Sequence, residues 1–475
     1  MNADGIQALI LRPAVGPAVR HLVLRVVPGG GGVALAQLQR MLSDAPLATG
    51  PGEVSTPVHC TLGFSFLGLR MLSLPEAYLR VFSRLAPAFA IGAPLRAGRV
   101  GDGGASAPTH WRDGFRLDQA HVVVTLHGAA HVLDALVARW RSGLLISSAD
   151  QVQTGLLLVD ELRGQRLGAP PGRHGEWVHF GYRDGLTDHV IAGIGQPRAP
   201  DTASPLTLTP QAAGEFLLGR SDNNGTNRFA LTTAPDEVRA FFHDSSFGVL
   251  RPMAQDTALF EATVRRWAAE AQAHLGHVVS EDWVRAKLCG RWPSGEVLRP
   301  GQFVPRRDDY RTDFPADPDG TGCPWFAHVR RMDPRGHRPA DRRPRPLLRR
   351  GIPYGPATWD AVADGDVSVD RGLLGLFFCA DIEAQFEELV GAWANDGPPG
   401  APRGRQAHDP LAGWHDDPFA RLQMPLPGAL PLTLRGLAPW TRTVGCLYAW
   451  YPTRAACQRL LAEDYVPAEE SEPWL

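Results

Sequence analysis

Three segments of this chain carry residue types that could act together on a small oxygen-containing molecule. Cys323-Pro324-Trp325-Phe326-Ala327-His328-Val329-Arg330-Arg331 offers a histidine. Leu347-Leu348-Arg349-Arg350-Gly351-Ile352-Pro353-Tyr354-Gly355 offers an arginine, and Phe180-Gly181-Tyr182-Arg183-Asp184-Gly185, far upstream, an aspartate. An imidazole can hold iron from one side, a guanidinium can steady growing negative charge, and a carboxylate can carry a proton. Together they are the minimum set for splitting hydrogen peroxide on a haem.

Each residue also has a plainer reading. The chain holds 16 histidines, so His328 is singled out by its setting. Its N-terminal neighbours are apolar, as an axial ligand requires. Arg330, Arg331 and Arg335 on the other side suit anionic haem propionates. Asp184 lies in a G-x-x-D-G pattern that could be an ordinary Asp-Gly turn. The functional alternative is that Gly181 and Gly185 let the backbone run close to a flat ligand. Arg349 follows two leucines and precedes a turn-like Gly-Ile-Pro-Tyr-Gly. A permanent charge in such an apolar frame calls for an anionic partner.

Composition narrows the class. The chain has 475 residues, 44% hydrophobic and 21% charged, with a net charge of -2. That is the balance of a globular protein, with no bias toward nucleic acid. The basic stretch 335–350 is broken by prolines and acids and reads as a solvated loop. The six cysteines, at 60, 289, 323, 379, 446 and 457, form no C-x-x-C pair and read as reduced, buried thiols of a cytoplasmic protein. The start lacks a basic, apolar leader, so no secretion signal is expected. No stretch of 18 uncharged apolar residues occurs, so no membrane span is expected.

The elements that must position the three segments follow from periodicity. Residues 21–27, 60–66 and 121–126 read as strands, with helices at 33–42, 76–82 and 131–141. This is β-α-β-β-α-β order, the ferredoxin-like plan. A Gly/Pro/Arg-rich stretch, 163–175, marks the internal boundary, dividing the chain into 1–170 and 171–475. Beyond it, 177–180, 215–218, 327–332, 372–379 and 445–451 read as strands. Residues 257–275, 382–393 and 453–461 read as helices, the first capped by Asp256 and ended by Gly276. Residues 397–404 read as a surface loop and the tail beyond Pro467 as loose. The fold class is thus α+β: two ferredoxin-like domains with antiparallel sheets packed face to face and a pocket near their interface.

Taken in order, the segments resemble the dye-decolorizing peroxidase family over essentially the whole chain. The matching stretches include Gly5-Ile6-Gln7-Ala8-Leu9-Ile10-Leu11-Arg12, Gly181-Tyr182-Arg183-Asp184-Gly185 and Gly214-Glu215-Phe216-Leu217-Leu218-Gly219. They continue through Lys287-Leu288-Cys289-Gly290-Arg291-Trp292-Pro293-Ser294-Gly295, the histidine and arginine segments, and Gly372-Leu373-Leu374-Gly375-Leu376-Phe377-Phe378-Cys379-Ala380-Asp381. The pattern is similar to the longer, cytosolic members. The resemblance implies haem b in the C-terminal domain, held by His328 and lined by Arg291, Gly181, Gly185, Leu374 and Leu376. It implies Asp184 as acid-base residue and Arg349 as distal cation, with Arg350 the alternative. It further implies hydrogen peroxide and organic donors such as dyes and phenolics as partners, with a homo-oligomer possible and neither nucleic acid nor membrane bound.

Asp381 has two readings: the cap of the helix after it, or the acceptor for the far nitrogen of His328. Leu186-Thr187-Asp188-His189 departs from the family's Ile-Ser-Gln-Pro, which bears on pocket shape; His189 reads as structural. Two other classes compete with the peroxidase. One is a related haem enzyme of the chlorite-dismutase or haem-processing type, and the other a haem carrier without turnover.

Overall fold

The computed structural model describes residues 2–52, 56–144, 154–194, 210–307, 309–312, 314–333, 346–359, 369–397, 408–414, 420–426 and 428–466. In its first half, β1 (Ala18–Val26), α1 (Gly31–Asp44), β2 (Val58–Phe64), β3 (Val122–Gly128), α2 (Ala130–Leu144) and β4 (Leu156–Gln165) make one β-α-β-β-α-β unit. Its antiparallel strands lie in the order β4-β1-β3-β2. The β-branched run of β3, Val-Val-Val-Thr-Leu-His-Gly, is buried throughout, as a central strand covered on both faces must be.

The second half repeats the plan with β5 (Ser246–Gln255), α3 (Thr257–Leu275), α4 (Glu281–Cys289), α5 (His328–Met332), β6 (Leu348–Arg349), β7 (Ile352–Tyr354), β8 (Gly372–Cys379), α6 (Ile382–Trp393), β9 (Thr441–Thr443), β10 (Leu447–Tyr451) and α7 (Arg454–Ala462). Here the order is β10-β5-β8-β6, with β7 also on β8 and β9 on β5. A single bridge, Trp450 to Phe64, joins β10 to β2 and makes one ten-stranded sheet. The inner faces of the two halves meet in a shared core. A Cβ on Gly164 of β4 would lie 2.6 Å from Ile352 of β7 and 3.1 Å from Leu374 of β8. The Tyr451 ring lies so close over Gly63 and Gly248 that neither position has room for a side chain.

The longest helix forms as its sequence dictates. The Asp256 carboxylate accepts the Leu259 N–H at 2.8 Å, Gly276 closes α3 with φ 72°, and Phe260, Val264, Trp267 and Ala271 are buried. These side chains build a second core with Phe180, Trp283, Trp292 and Phe326. α6 differs from an ordinary helix. It is π-type, so that the Ala394 N–H reaches Leu389 O, five residues back.

Two expectations fail. Residues 327–332 are not a strand but the single-turn helix α5, whose Arg331 N–H bonds Ala327 O at 3.1 Å. Residues 215–218 are not a strand either. A 3-10 turn at Ala213–Glu215 leads into chain whose Leu218 N–H bonds Ser245 O. Both runs are short enough for apolar periodicity to fit either structure. The Gly/Pro/Arg-rich stretch 163–175 begins inside β4, and residue 170 falls after that strand and before a small hairpin, Trp177–Val178 with Tyr182–Arg183. The basic residues 334–345, most of the 397–404 loop and the tail from residue 467 lie outside the described residues.

Among the described residues no helix is long and apolar enough to cross a membrane. A buried ion pair ties the halves together. Arg251 of β5 meets both Asp102 oxygens at 2.6 and 2.7 Å, and the Thr443 hydroxyl donates to the same carboxylate at 2.8 Å. Removing one partner strands the other charge in the core, so Asp102→Ala is expected to destabilise by about 3–5 kcal/mol. Urea unfolding with an unchanged midpoint would contradict this.

Candidate active site

His328 opens α5 immediately after the apolar Phe326-Ala327, which anchor the turn in the core. Its Nδ1 lies 2.7 Å from Asp409 Oδ2, and the Asp409 side chain is wholly buried. The other carboxylate oxygen accepts the N–H groups of Leu411 at 2.8 Å and Ala412 at 3.1 Å, so the carboxylate cannot swing away. Burial pushes the Asp409 carboxyl up. The His328 charge and hydrogen bond, the Leu411 N–H and Arg331 outweigh that and hold it below the usual carboxylate range. The His328 side chain remains 31% exposed, and among the described residues nothing meets its Nε2. One nitrogen is fixed by an acceptor and the other is open.

Asp381 is therefore not the acceptor. Its Oδ1 takes the Ala384 N–H at the start of α6, and its Oδ2 pairs with Arg228. Asp409 was the missed residue; the Asp-Pro pair at 409–410 is a turn signature that could have pointed to a fixed carboxylate. Arg330 and Arg331 are turned into the fold, and Arg330 pairs with the Asp317 carboxylate at 3.5 Å. Both are fully buried. Arg330 donates to Cys323 O and Asp317 O and stacks on Trp325 at 4.1 Å, while Arg331 donates to Trp393 O and Ala394 O. Burial lowers Arg331 to about 10.

Asp184 ends the small hairpin. Gly181 and Gly185 on either side have φ 75° and 71°, a conformation that favours glycine, which is why the motif carries them. Asp184 is exposed. One carboxylate oxygen accepts the Gly185 N–H at 2.8 Å, and among the described residues the other has no partner. The half-buried Arg166 guanidinium, lowered by desolvation, feels the opposing pull of the Asp184 carboxylate.

Arg349, which ends β6, and Arg350, just after it, part company. Arg350 is buried, with Nε on Leu9 O at 2.8 Å and Nη1 on both Asp188 oxygens at 3.0 Å. Arg349 is exposed, and its Nη2 meets Thr187 O at 3.1 Å and Thr187 Oγ1 at 2.8 Å. Cross-strand register sets its face. Arg349 pairs with Phe377, so it shares a face of β8 with Leu373, Gly375 and Phe377. Leu348 pairs with Phe378 on the opposite face, where Leu374 and Leu376 enter the core between the two halves. Leu374 and Leu376 thus do not line a site with Arg349. Phe377 does, its ring folded over Gly375 so that a Cβ there would be 2.7 Å away.

The segment after α4 bridges the histidine and aspartate sides. Gly290 packs against Ala327 and Val329, the neighbours of His328. Pro293 O accepts the Arg183 N–H, and Gly295 abuts Leu186. Arg291 braces this segment with Nη1 on Gly295 O and Tyr310 O. The Cys289 thiol, raised by burial to about 11, lies in electrostatic reach of Arg291, Asp409 and Arg349.

No family model matches the chain. It is 29% identical over 280 residues to a dye-decolorizing peroxidase of Mycena epipterygia, covering 53% of this chain and 50% of that one. It is 27% identical over 415 residues to a multifunctional dye peroxidase of Amycolatopsis, covering 79% and 80%. The solved structure of a dye-decolorizing peroxidase in complex with 2,6-dimethoxyphenol superposes with a TM-score of 0.75 at 22% identity, over 97% of this chain and 100% of that chain.

Over most of its length this chain is similar in sequence to dye-decolorizing peroxidases, and it shares their fold. It spans half the length of the Mycena relative. The solved dye-decolorizing peroxidases share its fold at this identity, and the two ferredoxin-like units described above are that fold. Within the dye-decolorizing peroxidase pattern, the departure at residues 186–189 is occupied. Thr187 meets Arg349, Asp188 meets Arg350, and the His189 ring lies 6.0 Å from that of Phe216.

Proposed function

We propose that this protein is a haem peroxidase that reduces hydrogen peroxide and oxidises organic donors by one-electron steps. The observation that carries the reading is His328, tied at Nδ1 to a buried carboxylate and open at Nε2. That is how a protein fixes the tautomer and raises the basicity of an imidazole that ligates metal. Among the described residues no three His, Cys, Asp or Glu side chains converge on a metal site, so the donor set suits an iron whose other ligands come from a porphyrin. The family relatives, named as peroxidases, support the same reading.

In this reading His328 would hold haem b, and the bound iron would supply the redox chemistry that splits peroxide and accepts electrons from donors. Asp184 takes a proton from hydrogen peroxide with its unpartnered oxygen and returns it to the departing oxygen. Arg349, with Nε and Nη1 unpartnered among the described residues, steadies the negative charge on that oxygen. Gly181 and Gly185 hold the Asp184 loop in shape, and Phe377 bounds the space beside Arg349. Phenolics and anthraquinone dyes are the donors expected, and the place of action is cytoplasmic.

The test is direct. Purified protein loaded with hemin is mixed with hydrogen peroxide and an anthraquinone dye. Bleaching that requires both protein and peroxide is expected; a loaded protein that leaves the dye intact would rule the function out.

A further inference from the structure

Arg349 and Arg350 are consecutive, yet residues 187 and 188 treat them differently. Asp188 neutralises Arg350, which is also held by the carbonyls of Leu9 and Ile10 and is buried. That lock fixes the backbone at 188, and with it Thr187 one residue before. Thr187 then presents two acceptors, its carbonyl at 3.1 Å and its hydroxyl at 2.8 Å, to one nitrogen of Arg349. These are the hydrogen bonds Arg349 makes among the described residues. An exposed arginine otherwise spreads over many rotamers, and its planar fork acts best when held in advance. Two acceptors on Nη2 set the plane of the guanidinium and leave the N–H groups of Nε and Nη1, which point to different sides, for a developing anion.

We infer that Thr187 is a positioning residue for Arg349, fixing its plane so that a remaining N–H group points at the reacting oxygen, with the Asp188–Arg350 pair as the anchor of that aim. The inference rests on the proposed role of Arg349. Residues 187 and 188 thereby sort two adjacent cations, the hydroxyl at 187 turning Arg349 to the site and the carboxylate at 188 holding Arg350 to the fold.

The experiment uses hemin-loaded protein and stopped-flow mixing with hydrogen peroxide. Thr187→Val removes the hydroxyl while keeping its shape and the carbonyl. It is expected to slow the peroxide-dependent change in the haem spectrum about ten-fold, the effect of one hydrogen bond to a charged group. Thr187→Ser should stay within about two-fold of the parent, since a hydroxyl is restored. Soret intensity and haem content should be unchanged in both, and Thr187→Val should add no further loss to Arg349→Leu, because the two act as a unit. Thr187→Ala, run in parallel, must agree with Thr187→Val and serves if the latter loads poorly. A parent-like rate in Thr187→Val and Thr187→Ala overturns the inference, as does a slow Thr187→Ser or an additive double variant. An Arg349→Leu protein that reacts at the parent rate instead overturns the role of Arg349 itself.

Discussion

Asp184→Ala is expected to slow the reaction of the hemin-loaded protein with hydrogen peroxide by 100-fold or more, the contribution of about one general acid-base group. The carboxylate is built to move a proton. One oxygen is pinned by the Gly185 N–H at 2.8 Å, which sets its direction. The other is unpartnered among the described residues and exposed, so a proton can enter and leave. The main-chain N–H of Asp184 is tied to Glu176 O at 2.8 Å, and Glu176 pairs with Arg166, so the loop is braced from behind. Asp184→Asn keeps the shape and the hydrogen bond to Gly185 and loses the proton carrier; it should be nearly as slow as alanine. An asparagine variant with parent-like rates would show that the residue only shapes the loop.

Lowering the pH from 7 to 5 is expected to cost several kcal/mol of stability. Four histidines are held neutral by burial. His21 is lowered to about 3, His121 and His179 to about 4, and His127, which also faces His21, Arg166 and His59, well below its usual value. The register of β1, β2 and β3 puts His21, His127, Thr61 and Thr125 on the face of the first sheet that meets the second. Above about pH 6.5 each is neutral folded or unfolded and contributes nothing to the pH dependence. Below it the unfolded chain binds protons that the folded chain refuses, so stability falls until the folded values near 3 to 4 are reached. Each site costs about 1.4 kcal/mol per pH unit, hence about 2 at pH 5 for each of His21, His121 and His179 and about 6 for the three together, with His127 acting in the same direction. Asp409, lowered in the fold, acts only below about pH 4 and does not offset this. Urea unfolding at pH 7 and pH 5, followed by tryptophan fluorescence, measures the difference. A change under about 1 kcal/mol would mean that these imidazoles take up protons inside the fold.

Much of the scaffold was legible because its signals are local. The cap at Asp256, the stop at Gly276 and the apolar stripe between them place α3 to the residue. The apolar run 372–379 places β8 equally well. β5, the central strand of the second half, left little trace. Gly248 lies under the Tyr451 ring, and Pro252 sits where the neighbour of β5 passes from β10 to β9. Both residues break a strand pattern, and both are explained by contacts far away in sequence. The same holds for the site. The three segments carrying His328, Asp184 and Arg349 could be picked out by residue type. The partner of His328 was marked only by the Asp-Pro turn at 409–410, 81 residues away, while Asp381 stood in a better-looking place. Leu374 and Leu376 were misplaced because a strand alternates, and only the pairing of Arg349 with Phe377 says which face is which.

The most direct measurement is the absorption spectrum of the parent protein and His328→Gly after adding hemin, with and without imidazole. If His328 is the protein ligand, the parent gives the Soret band of a histidine-bound ferric haem. The glycine variant loses that band, and imidazole restores it by filling the space of the missing ring beside Asp409. A glycine variant whose Soret band matches the parent without imidazole would mean that iron is held elsewhere.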